Sequence, residues 1–237
     1  MANKQLLTNK VFEVLRYRIV SLEYYPGMKL VDTDICDEME VSRTPVRNAL
    51  KKLHDMGLVT ILPRFGTKVS VIDLDDIKSA FIVRIPLEEL AGREAAKHVS
   101  PDELNELKAI LNTIEEIEGK PDYDTAKRLA LGTNFHQKIY MATNNRILCD
   151  FMERLSGRCI RAFNYVIRTT EMAPDDYNFE QLREMYLALK NHDSDLAGRL
   201  CRIHVERAMA ILGKHILSVL SHDEWDSDNF PNGAVAK

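Results

Sequence analysis

The chain has 237 residues, 45% of them hydrophobic and 29% charged, with a formal net charge of −4, the make-up of an ordinary globular protein long enough for two domains. No run approaches the ~18 apolar residues that a membrane span needs, MANKQLLTNK at the start lacks the apolar core of a secretory signal, and Cys36, Cys149, Cys159 and Cys201 form no CxxC pair. These features argue against a membrane, secreted or disulfide-framed protein and lead us to expect a cytoplasmic chain with reduced thiols.

The charge is unevenly spread. Through Asp73 there are 11 Lys and Arg against 9 Asp and Glu, and beyond it 21 against 27. Between Val41 and Lys68 six cations accompany one acid, a local basic surface of the kind a nucleic-acid partner requires.

Leu7, Val11, Val14, Leu15 and Ile19 trace one face of a first helix that ends before the turn Tyr25-Pro26-Gly27. Met28 to Val31 suits a short strand, and Asp32 or Thr33 can cap a second helix carrying Ile35 and Met39. Next comes VSRTPVRNALKKL, residues 41–53. Ser42 or Thr44 can be its N-cap, Pro45 suits the first helical position because it has no N–H to leave unpaired, and Val46, Ala49, Leu50 and Leu53 repeat at helical spacing. Arg43, Arg47, Lys51 and Lys52 lie on the opposite face. Two short helices joined this tightly, the second basic at its start, make a helix-turn-helix whose second helix is composed to read a major groove.

Gly57 stands where a left-handed C-cap is expected, and LVTIL and TKVSVI read as two strands around Pro63-Arg64-Phe65-Gly66. This hairpin is a wing. Arg64 at its tip, beside a glycine that lets backbone approach closely, is placed to enter a minor groove or touch phosphate.

After the short acidic connector VIDLDDI the pattern is helical throughout. Ile77, Phe81, Arg84, Glu88 and Ala91 share one face of a long helix interrupted at Pro86. Ser100-Pro101-Asp102-Glu103 is a capping box opening a helix to about Ile117, which Gly119-Lys120-Pro121 ends. Tyr123 to Thr143, Ile147 to Thr169, Tyr177 to Lys190 and Asp195 to Leu220 read as four more helices, with the Glu171 to Asp176 loop among their connections. SHDEWDSDNFPNGAVAK has no periodicity and is expected to be a disordered tail. The expected architecture is mainly α: a winged helix-turn-helix over 1–73, an antiparallel all-helical bundle over 74–220, and a tail over 221–237.

The run from PGMKL through SRTPVRNALKKLHDMGLVTILPRFGTKV resembles the winged helix-turn-helix of the GntR family of bacterial transcription regulators. The resemblance implies that Ser42, Arg43, Thr44 and Arg47 contact operator DNA, with Arg64 and Gly66 contributing from the wing. Where some members have an arginine early in the second helix, this chain has Thr33 between Asp32 and Asp34, so that contact is not expected here. VRIPLEELAGREAA, NFHQKIYMATNNRIL and LKNHDSDLAGRLCRIHV resemble the FCD effector-binding domain of the family's FadR branch.

Many FCD domains hold a divalent metal with an Asp, a His four residues later and two further histidines. Those positions fall on Gly132, His136, Leu182 and His204. Two of the four lack a donor, so no metal cofactor is expected. What the resemblance leaves is His136 and His204 facing one cavity, with Arg84 placed to meet the acidic group of a small effector. Asn134, Tyr140 and Arg161 can line the same cavity. The alternative is structural: core histidines bonded to carbonyls and Arg84 paired with Glu88 or Glu89. The implied protein is a homodimer on a palindromic operator, a repressor released by a small carboxylate. Competing readings are a regulator whose bundle only dimerises, a metal-dependent sensor, or an enzyme. The last has no nucleophile elbow, phosphate loop or HExxH to support it.

Overall fold

The computed structural model describes residues 2–118, 125–169 and 179–220. Among the described residues the chain divides into two compact units, one formed by residues 2–77 with Gly157–Tyr165, the other by Lys78–Ser156 with Val166–Leu220. The break between units comes at Ile77, four residues later than Asp73, where the sequence pattern places it. The expected tail, the Gly119-Lys120-Pro121 break and the Glu171 to Asp176 loop lie outside the described residues.

In the first unit, α1 (Ala2–Val20), β1 (Lys29–Leu30), α2 (Asp32–Met39), α3 (Arg43–Asp55), β2 (Val59–Leu62) and β3 (Gly66–Val69) follow in order. The three strands form an antiparallel sheet in the order β1-β3-β2, with Lys29 opposite Lys68 and Leu62 opposite Gly66. Val11, Leu15 and Ile19 of α1 are buried as their spacing predicts, but Leu7 is exposed and Phe12 packs in its stead. They meet Val46, Ala49, Leu50 and Leu53 of α3 together with Ile35, Leu58 and Val69. This single apolar cluster holds α3 against the rest of the unit.

Two helix starts differ from expectation. The first residue of α2 is Asp32, so Val31 stands at the cap and neither Asp32 nor Thr33 caps it; Thr33 Oγ1 donates instead to Asp34 Oδ1 at 3.3 Å. Helix α3 starts at Arg43 behind an extended Ser42 whose side chain makes no capping bond. Pro45 is therefore third in the helix, not first. The position is still tolerated because the N–H groups of a helix's whole first turn lack intrahelical partners. At the other end Gly57 adopts φ +71° and its N–H reaches His54 O at 2.8 Å, the left-handed stop its sequence position implies.

The second unit takes in most of α4 (Leu74–His98), then α5 (Pro101–Glu118), α6 (Thr125–Ala142), the two ends of α7 (Arg146–Thr169), α8 (Phe179–Lys190) and α9 (Ser194–Leu220). The capping box closes as read: Ser100 N and Oγ both donate to Glu103 Oε2 at 2.8 Å, and Glu103 N returns a bond to Ser100 Oγ at 3.3 Å. Leu107, Ile110, Leu111 and Ile114 of α5 pack with Phe135, Ile139, Leu182, Met185 and Cys201 in one core. Helix α4 runs through Pro86 without ending. Among the described residues no helix is long and apolar enough to cross a membrane.

Candidate functional site

Two places concentrate polar chemistry. The first is the start of α3. Burial of Val46, Ala49, Leu50 and Leu53 at 2% exposure or less forces the opposite face outward, and Ser42, Arg43, Thr44 and Arg47 are all exposed there. Lys52 is turned away from them, bonded to Asn9 Oδ1 at 2.9 Å and lying over the Phe12 ring. Arg47 Nε donates to Asp32 Oδ2 at 3.3 Å. On the wing, Arg64 adopts φ +67° and Gly66 φ +93°, and Phe65 between them is 76% exposed. Lys29, Asp32, Arg47, Arg64, Phe65 and Thr67 are among the residues bounding a cleft of about 670 Å³ in this unit. Of the residues singled out in the sequence, Ser42, Arg43 and Thr44 are exposed at the start of α3, while Arg47, Arg64 and Gly66 bound the cleft. Asp32 and Phe65 also belong to it, and the only sequence signal for either was proximity to the motif.

The second place is inside the helical unit. Glu88 of α4 is wholly buried. Arg84, one turn earlier, reaches its Oε1 from Nε at 2.9 Å and from Nη2 at 2.7 Å, and Tyr140 of α6 donates its hydroxyl to the same oxygen. His136 Nδ1 lies 3.4 Å from Glu88 Oε2, yet neither atom makes a well-directed hydrogen bond. The ring of His204 from α9 is tilted 33° against that of His136 at a centroid separation of 4.9 Å, and its Nδ1 is 3.0 Å from Gln181 Oε1.

Burial opposes charge on Glu88, but the Arg84 guanidinium, His136 and the Tyr140 hydroxyl outweigh it and hold the carboxyl down at about 2. Burial and neighbouring His136 push His204 down to about 3, so its imidazole is neutral. Burial, with the Glu88 charge, raises the Tyr140 hydroxyl and the Cys201 thiol well above their ordinary ranges. The cluster is therefore a fixed carboxylate with a guanidinium, a phenol and two imidazoles around it.

Arg84, His136, Tyr140 and His204 are brought together as their positions in the sequence suggest. Asn134 and Arg161 are not. Asn134 faces outward on α6. Arg161, 3% exposed, belongs to the first unit, where its guanidinium donates to the carbonyls of Leu58, at 3.5 Å, and Ser70. Its helical period carries it there: Arg158 and Asn164, three residues to either side, donate to Met56 O at 2.9 Å and Val20 O at 2.7 Å. Burial lowers the Arg161 guanidinium to about 10. Gln181 was missed because a glutamine near a helix start carries no distinguishing pattern.

At the positions corresponding to metal ligands, Leu182 is a wholly buried apolar side chain. A Cβ at Gly132 would lie 3.2 Å from Arg128 Nη1, so a guanidinium occupies the neighbouring space. Arg128 Nε in turn donates to Glu118 Oε1 at 3.0 Å. Among the described residues no three His, Cys, Asp or Glu side chains converge as on a metal ion.

Residues 79–207 match the FCD domain model, and residues 7–69 match the model described as bacterial regulatory proteins, gntR family. The HTH-type transcriptional repressor RspR of Escherichia coli (strain K12) is 26% identical over 207 residues, 85% of this chain and 87% of that protein. The probable D-xylose utilization operon transcriptional repressor of Paenarthrobacter nicotinovorans is 27% identical over 180 residues, 76% of each. Among solved structures, E. coli McbR/YncC superposes with a TM-score of 0.76 at 23% identity, covering 89% of this chain and 98% of that one, which shows a shared fold.

Proposed function

The chain belongs to the GntR-type regulators that carry an FCD domain, and from that premise we propose that it is a dimeric repressor of a palindromic operator, released by a small organic acid. The coarser statement is established by the family: this is a DNA-binding transcription regulator and not an enzyme. In the finer reading, Ser42, Arg43, Thr44 and Arg47 contact the operator's major groove and Arg64 and Gly66 its flank. The observation that supports it is the exposed cationic start of α3 on a helix whose other face is core. A dimer would present two such helices to the half-sites of a palindrome. Repression is the sense carried by the names of two relatives, and the cytoplasm is where such a regulator meets its DNA.

The effector reading draws on the buried cluster. Interior polar atoms without hydrogen bonds are uncommon, and Glu88 Oε2 and His136 Nδ1 are two within one cluster. Glu88 already holds the place on Arg84 that an effector carboxylate would take. Binding is then an exchange in which the acid replaces Glu88 on the guanidinium while His136 and Tyr140 keep Glu88. Such an exchange distinguishes two states of the bundle, which an effector must do to shift DNA affinity. No divalent metal takes part in this reading, because Leu182 and Gly132 offer no donor and Arg128 adds positive charge beside Gly132.

The same Arg84–Glu88 pair favours a second reading, a closed core that binds nothing and only dimerises. A thermal-shift screen of small organic acids on the full chain, followed by operator binding with any hit, separates the two. An acid that raises Tm and weakens operator binding supports an effector. No stabilising acid, with DNA binding unchanged in Glu88→Gln, supports the closed core. Light scattering of the free protein reads the oligomeric state.

A further inference from the structure

We propose that Asp32 is a positioning residue for DNA reading: its carboxylate anchors Arg47 through Nε, so that the guanidinium presents its two terminal amino groups to one guanine of the operator. This rests on the reading of α3 as the DNA-contacting helix.

The pair is not there for stability. Arg47 keeps 69% of its side chain exposed and Asp32 32%, and an exposed ion pair of this kind adds next to nothing to folding. The pair instead fixes a direction. An arginine free at the start of a helix samples many rotamers, and one tethered at Nε holds the Nη1–Nη2 edge as a fork. That edge matches guanine O6 and N7, which accept two parallel hydrogen bonds.

The surroundings fit this role better than a phosphate contact. Helix α2 contains Asp32, Asp34, Asp37 and Glu38 and no Lys or Arg, so its start repels a DNA backbone rather than gripping it. Within that helix Asp32 is the residue recorded in an ion pair with α3. Asp32 and Arg47 also line one cleft with Lys29 and Arg64, a surface on which the single carboxylate gives Arg47 an orientation that the neighbouring cations lack.

The test uses the full chain and duplexes that it selects from a randomised library. Fluorescence anisotropy then gives the affinity for the selected duplex, for each of its single-base-pair variants and for an unselected duplex. Asp32→Ala and Asp32→Asn are expected to lose about tenfold discrimination at one G·C pair per half-site while affinity for unselected DNA does not fall. Arg47→Ala should lose discrimination at that same pair, and Asp32→Ala added to Arg47→Ala should change nothing more there. Circular dichroism checks that each variant is folded.

Three results overturn the proposal. Asp32→Ala could tighten binding to every duplex equally with discrimination intact, which would make Asp32 a repelling charge only. It could lose discrimination at a pair different from that of Arg47→Ala, as it would if the carboxylate itself accepted from a cytosine amino group. If Arg47→Ala and Arg43→Ala both bind selected and unselected DNA like the wild type, the reading of α3 fails and this proposal with it.

Discussion

Glu88 Oε2 and His136 Nδ1 face each other at 3.4 Å in the interior of the helical unit, each without a well-directed hydrogen bond, while the other carboxylate oxygen is held by Arg84 and Tyr140. The arrangement makes the protein's acid stability depend on this cluster. Glu88 titrates at about 2 when folded against an ordinary 4.5, so its ionised form stabilises the fold above about pH 5 and that stability is lost as pH falls toward 2. At ~1.4 kcal/mol per unit the contribution is about 3 kcal/mol. His204, lowered from 6.5 to about 3, acts with the same sign: below pH 6.5 the unfolded chain takes up a proton that the folded chain refuses. Urea denaturation at pH 7, 5.5, 4 and 3 should show stability falling below pH 6.5 and more steeply below 4.5, where both groups contribute. His204→Gln should flatten the fall between pH 7 and 5.5 and Glu88→Gln should lessen the fall between pH 4 and 3, and variants that keep the wild-type curve would contradict the assignment.

Truncation of the carboxylate should be more damaging than its neutralisation. Glu88→Ala removes the buried carboxylate that Arg84 pairs with, for which ~3–5 kcal/mol is expected. Tyr140→Phe removes one bond to Glu88 and should cost about 1–3 kcal/mol. Denaturant midpoints at pH 7 check the order.

On the DNA side, Arg43→Ala and Arg47→Ala should each weaken binding to selected duplexes by ~1–3 kcal/mol, as lost base contacts do. Arg64→Ala should behave differently if it meets phosphate. Affinity would fall about equally on selected and unselected DNA, and the slope of log K against log salt would decrease by about one. Anisotropy titrations at several salt concentrations distinguish the two patterns.

Helices α4 and α9 cross where glycine is the only side chain that fits. A Cβ on Gly92 would come 2.6 Å from Ala197 O, and one on Gly198 would come 3.0 Å from Glu89 O and 2.6 Å from Arg93 Cγ. Gly92→Ala meets backbone and should destabilise by about 1–3 kcal/mol. Gly198→Ala should also destabilise, somewhat less, because its nearest backbone atom, Glu89 O, is at 3.0 Å and not 2.6 Å. Gly213 has nothing within 4 Å of its would-be Cβ, so Gly213→Ala should stabilise by up to ~1 kcal/mol through helix propensity. Thermal melts of the three variants give the comparison.

Zinc or nickel added to chelator-treated protein should leave Tm unchanged, and protein purified without chelator should carry no stoichiometric metal. One retained equivalent, found by elemental analysis, would mean that donors other than those at 132 and 182 are used.

Much of this was legible in the chain because periodicity reports burial directly. Val46, Ala49, Leu50 and Leu53 define the hidden face of α3, and the exposed Ser42, Arg43, Thr44 and Arg47 follow by subtraction. The wing followed from Gly57 and Gly66, whose positive φ angles few other residues adopt readily. Side-chain direction late in a long helix was not legible. Arg161 lies two turns or more beyond Phe151 and Met152, and an accumulated rotation of 100° per residue decides which way it points. The ion pair between Arg47 and Asp32 was hidden for another reason, since it links residues 15 apart whose proximity depends on the turn between two helices.

Arg64 holds a left-handed backbone, φ +67°, at the tip of the wing. For a residue with a Cβ that conformation costs roughly 1–2 kcal/mol relative to ordinary geometry, so a stability-driven redesign would replace it with glycine or asparagine. The replacement would relieve the turn and delete the one cation at the tip of β2–β3. If Arg64 meets DNA as proposed, selection for a hardier molecule and selection for a better reader of DNA pull residue 64 in opposite directions, and libraries screened by heat alone should drift toward stable proteins that bind DNA less well.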